Sequence, residues 1–152
     1  DSFRRLRHIY QQFVLSQALV MLVSSLEVYL GTAFRIPLAH RLGLDAGAVS
    51  QITRGYNFQN WGSATQAFRT FLQVELCPDG VDGAEINALL QKRHVLIHRL
   101  GIIDERALRQ LRLPPSSLGT RLRVSPSEIN KGVTLVGRIV KHVSQALERG
   151  GG

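Results

Sequence analysis

Residues 93 to 98 read RHVLIH and place Arg93, His94 and His98 inside an otherwise apolar run. These residue types suit phosphodiester chemistry on RNA, which carries its own nucleophile in the 2′-OH. An imidazole titrating near neutrality can take that proton or donate one to the departing 5′ oxygen. A permanently charged guanidinium stabilises the charge that builds around phosphorus. Neither role requires a metal or an organic cofactor, and none is expected.

The spacing adds detail. An apolar stripe runs through Ile86, Leu89, Leu90, Leu96, Ile97 and Leu100, and position 93 interrupts it with arginine. A buried arginine needs a partner because desolvating its charge is costly. Glu27, alone within the apolar first helix, is the candidate acid, and a purely structural ion pair is the plainer reading. His94 and His98 are four apart and share one helix face. Arg93 and His98 stand about 140° apart around a helix, so one groove serves both only if the arginine bends towards the histidine. A single histidine per chain covers half of the acid and base work, which makes a two-fold dimer attractive. The His94–His98 spacing also suits zinc, but His8, His40, His142 and Cys77 are scattered and no third ligand is at hand.

Charge points the same way. Nineteen Lys and Arg against eleven Asp and Glu leave a net charge of +8, a field that attracts polyanions. Lys92, Arg99, Arg106 and Arg109 flank the histidines and are candidate phosphate contacts; Arg112, Arg121 and Arg123 continue the basic stretch. Ordinary surface charge is the competing account. The helix-turn-helix and zinc-finger patterns of DNA readers are missing. Cys77 is the only cysteine, so an internal disulfide is excluded and a reduced, cytoplasmic setting is expected. No signal peptide is visible. The stretch LSQALVMLVSSLEVYL is interrupted by Gln17, Ser24, Ser25 and Glu27, which favours a buried helix over a membrane span.

The elements that must position these residues are helices. Leu19, Val23, Leu26, Leu30 and Ala33 recur at helical steps, predicting a first helix from Ser2 to about Phe34, bounded near Ile36 by Pro37. A second helix is expected over 46–53 with Asp45 as its cap. GYNFQNWGS is expected to be a packed loop, and 64–76 a helix stopped at Pro78-Asp79-Gly80. The motif helix starts near Asp82 or Gly83 and ends at Gly101. IIDERALRQL suggests a short helix, and SLGTRLRVSP an extended or hairpin-like excursion. A last helix, capped by Ser127, is expected over 128–147. Tyr56, Phe58, Trp61, Phe68 and Phe71 are expected to pack rather than to stack bases. The sum is an all-α bundle of four to five helices in one domain, 1–147, with a flexible tail at 148–152.

RHVLIHRLGIIDE resembles the Arg-x4-6-His signature of the HEPN superfamily, with His94 where Asn is the commoner polar residue. Gly101 to Asp104, SSLEVYLGTAF, GYNFQNW and LGTRLRVSPSEI resemble the RiboL-PSP-type branch in position and character. The resemblance implies a helical bundle that dimerises with its motif helices meeting. It also implies a metal-independent endoribonuclease of toxin–antitoxin, phage-defence or RNA-processing systems, with a cognate antitoxin protein as a possible partner. On this resemblance Arg93 and His98 are the active pair, His94 assists, and Glu27 supports from the first helix. Some HEPN domains serve instead as non-catalytic RNA-binding or protein-interaction modules.

Overall fold

The long apolar run near the N-terminus forms a single helix, α1 (Ser2–Leu42), in the computed structural model, which describes residues 2–150. Pro37 does not end it; the helix continues through the proline to Leu42. An interior proline costs about 3 kcal/mol. Burial of Phe34 and Leu38 on either side of it contributes about 1.5–3 kcal/mol each, enough to offset that cost.

Five further α-helices follow: α2 (Ala46–Arg54), α3 (Trp61–Ala67), α4 (Gly83–His98), α5 (Glu105–Leu111) and α6 (Pro126–Arg149). The described residues are all-helical apart from loops, with six α-helices where four to five were expected. Helix α3 is the start of the helix expected over 64–76, and it begins three residues early, at Trp61. Asn60 caps it by accepting from the Ser63 amide at 2.9 Å, inside the segment expected to be a loop. Helical structure then passes through a π-helical turn, Phe68–Leu72, and stops at Gln73 in a left-handed conformation, short of the expected Leu76.

Caps set the other boundaries. Asp45 accepts from the Ala48 amide at 2.8 Å and starts α2 as expected. The cap of α6 is Ser125 rather than Ser127, because Ser125 and Glu128 bond each other's backbone amides reciprocally and leave Pro126 in the first turn. Helix α6 reaches Arg149, past the expected start of the tail, and Gly150 caps it. Asp1 and the tail residues 151 and 152 lie outside the described residues.

One core forms where α1 packs on α4 and α6. Leu19, Val23, Leu26 and Leu30 supply α1's face, Ile86 and Leu90 that of α4, and Ile139 and Val143 that of α6. The Tyr29 hydroxyl ties α1 to α6, lying 3.1 Å from the Val140 carbonyl and 2.7 Å from Ser144 Oγ. Phe34 gathers Tyr56, Phe58, Phe68 and Phe71 around itself, so these aromatic residues pack together as expected.

A satellite core of Val95, Ile103, Ala107 and Leu122 fastens the end of α4 to α5. The excursion after α5 folds back onto this core. Ile103 and Leu122 donate to the carbonyls of Thr120 and Gly101 at 2.9 and 2.7 Å, and Ile102 forms an antiparallel bridge with Arg121.

The first turns of α1 have no such cover. The Gln12 carboxamide pairs with both backbone groups of Val124 at 3.2 Å. Beyond it Phe3 (88% exposed), Leu6, Tyr10 and Phe13 (61%) face outward. By length and composition alone α1 is apolar enough to cross a membrane, despite its polar interruptions. Its stripe from Leu19 to Leu30 is nevertheless consumed by the core.

Candidate active site

Helix α4 carries the candidate residues because Asp82 caps its start, accepting from the Ala84 amide at 2.8 Å, and the satellite core holds its end. The helix terminates through left-handed Leu100 and Gly101, whose amide returns to the Val95 carbonyl at 3.0 Å. Asp104 then caps α5 through the Ala107 amide at 2.8 Å and fixes the second wall of the site.

Arg93 turns to α1. Its guanidinium lies 3.4 Å from a Glu27 carboxylate oxygen, with the two side chains only 13% and 11% exposed. The partner expected from sequence is therefore the partner found. Glu27 Oε1 and Arg93 Nε are buried without a hydrogen-bond partner among the described residues, which raises the cost of the pair. Burial pushes the Glu27 carboxyl above the ordinary carboxylate range, and Arg93's charge pulls it only part of the way back.

His94 and His98 occupy a different face. Their rings tilt at 45° with centroids 4.7 Å apart. His94 is half-buried and His98 exposed. Desolvation lowers the His94 pKa below the ordinary imidazole value, and the charges of His98, Arg106, Arg99 and Arg93 lower it further. His94 is thus held neutral at a pH where a free imidazole would begin to charge. One chain brings two imidazoles together, so the acid and base count does not require a second chain. Among the described residues no third His, Cys, Asp or Glu joins the pair to make a metal-binding group.

The flanking cations divide. Lys92 turns to α6 and pairs with Glu128, which belongs to the capping box, so its charge is committed to the fold. Arg99 lies 3.3 Å from Asp104, and Arg109 lies 3.8 Å from Glu105. Arg106 is exposed on α5 and acts on His94 electrostatically. The arrangement offers a neutral imidazole, an exposed imidazole and nearby guanidinium groups on one surface.

The sequence reading missed a longer polar stripe on this helix. Asn87, Gln91, His94 and His98 follow steps of four, three and four and share one face. The signal for it is the polar periodicity itself, which runs alongside the apolar stripe of the same helix. No protein-family model, curated protein or solved structure matches this chain.

Proposed function

We propose that this chain is a metal-independent endoribonuclease of HEPN type that cuts RNA at the His94–His98 face of α4. The observation that carries the reading is the 4.7 Å juxtaposition of the two rings, with His94 biased to its neutral form. Neutral His94 takes the proton of the 2′-OH, whose oxygen bonds to phosphorus. The bond from phosphorus to the 5′ oxygen breaks, and His98 donates its proton to that oxygen. The products are a 2′,3′-cyclic phosphate and a 5′-hydroxyl. Arg106 and Arg99 supply positive charge near the phosphate. Arg93, engaged with Glu27, acts as a positioning residue that fixes α4 on α1.

The net charge of +8 supports RNA as the substrate. The uncovered apolar arm of α1 supports a homodimer. Toxin–antitoxin or phage-defence biology, with a protein antitoxin and a cytoplasmic setting, is the context that goes with this reading.

A second reading is favoured by the burial of Arg93: a HEPN-type module that binds RNA, or a partner protein, without cutting. The experiment is incubation of the domain with a mixed RNA pool in EDTA beside His98→Ala. Cleavage that leaves cyclic phosphate ends, and that the variant lacks, is expected. Equal cleavage by the variant overturns the histidine mechanism, and a salt-sensitive complex with intact RNA moves the assignment to the binding module.

A further inference from the structure

A groove runs between α4 and α5, with the histidines at one end and carboxamides at the other. The two helices lie antiparallel. Arg106 at the start of α5 acts on His94 near the end of α4, whereas Gln110 and Arg112 at the end of α5 face Asn87 and Gln91 near the start of α4. At that second end the groove widens into a cleft of about 470 Å³ lined by Asn87, Gln91, Gln110, Arg112 and Glu85.

We propose that this cleft is a base-recognition subsite for single-stranded RNA, and that Asn87 and Gln91 determine which nucleotide is placed upstream or downstream of the cut. The inference rests on the ribonuclease reading for its biological role, but the cleft itself is argued from its own chemistry. A carboxamide presents a donor and an acceptor side by side, which matches the edge of a base and is the common means of reading adenine. Among the described residues the side-chain hydrogen bonds in this part of the fold belong to Asp82, Lys92 and Asp104, and none engages Asn87, Gln91 or Gln110, so the three carboxamides offer their donors and acceptors to a ligand. Unstacked bases in single strands offer those edges, whereas duplex RNA conceals them.

The alignment with the histidines makes the cleft more than a surface recess. Asn87 and Gln91 share the face of His94 and His98, and Gln91 lies about 10 Å along the helix axis from His98. A strand whose scissile phosphate sits at the histidines therefore passes its neighbouring base over the cleft. Arg106 and Arg112 flank this path from α5 and would hold the intervening phosphate.

The test uses uncleavable 2′-O-methyl hexanucleotides of A, of C and of U, with an abasic strand of equal charge as the control. One base sequence should bind about tenfold or more tightly than the abasic strand, the discrimination expected of a bidentate contact. Asn87→Ala with Gln91→Ala should remove that preference, whereas Arg112→Gln should weaken all strands alike. Asn87 is exposed, so Asn87→Ala alone, with a melting curve as control, keeps the test valid if the double variant loses its fold. Equal binding of all strands, or a preference that survives both variants, overturns the subsite. The strands cannot be cut, so base preference without any cleavage of the RNA pool would refute the nuclease and leave the subsite. Cleavage without preference would do the reverse.

Discussion

Glu27 and Arg93 meet between α1 and α4 at 3.4 Å, both nearly enclosed, while His98 lies outside that contact. The pair therefore sits under the motif helix rather than in the groove above it. Removing one partner leaves the other charge buried and should cost about 3 kcal/mol in urea unfolding, for Glu27→Leu or Arg93→Met alone. The double variant should recover most of that loss, because an apolar pair of similar volume avoids desolvation altogether. RNA cleavage by the refolded double variant should persist. A stable but inactive double variant would place Arg93 in the chemistry itself.

Glu128 performs two tasks at the start of α6, closing the capping box with Ser125 and holding Lys92 of α4. Burial works against its charge, but the Lys92 hydrogen bond and the Ser125 backbone amide more than offset this and lower its pKa. The folded value lies below the unfolded one, so the stability it contributes is present above pH 4.5 and is lost as pH falls through the folded value. Ser125→Ala should lower stability by about 1 kcal/mol. Lys92→Met should shift the acid limb of the stability curve while leaving the salt dependence of RNA binding unchanged. A reduced salt slope would instead restore Lys92 to the phosphate contacts.

The helical class and the Glu27–Arg93 partnership were legible because each follows from spacing and burial cost along single helices. Arg93 interrupts an apolar stripe, and Glu27 interrupts another, so the two interruptions had one economical explanation. The course of α1 past Pro37 was not legible, because the decisive contribution is the burial of Phe34 and Leu38 against distant segments. The start of α3 at Trp61 rather than Ala64 was not legible because Gly, Asn and aromatic residues mark a loop by propensity, whereas Asn60 acts here as a cap and Trp61 is buried. The commitment of Lys92 to Glu128 depends on how α6 crosses α4 and has no local signature.

His94 sets the expected pH dependence of cleavage. Its pKa is below 6.5, first through desolvation and then through surrounding positive charge. A base with a lowered pKa stays neutral to lower pH, so the acid limb of kcat/KM should fall below pH 6.5. Arg106 is among the charges that depress it. Arg106→Gln should move the acid limb upward, closer to the ordinary imidazole value, and should also weaken RNA binding. An acid limb that does not move would show that His94 is not the titrating base. The sign for folding follows too: below pH 6.5 the unfolded chain takes up the His94 proton first, so this residue's contribution to stability declines as pH falls.

The arm of α1 makes the last prediction. Phe3, Leu6, Tyr10 and Phe13 follow steps of three, four and three, which aligns them on one outward stripe beyond the Gln12 clamp on Val124. A monomer rarely leaves a contiguous apolar surface of this kind in water. Pairing with the same stripe of a second copy covers it without calling on the core face of α1, which is already filled. Sedimentation should show a dimer for the wild-type domain and a monomer for Leu6→Glu with Phe13→Glu. The melting temperature of the bundle should fall little, since neither side chain contributes to the core. A wild-type protein that sediments as a monomer would rule out self-pairing, and retention on phospholipid vesicles, lost in the same variant, would assign the stripe to a bilayer surface instead.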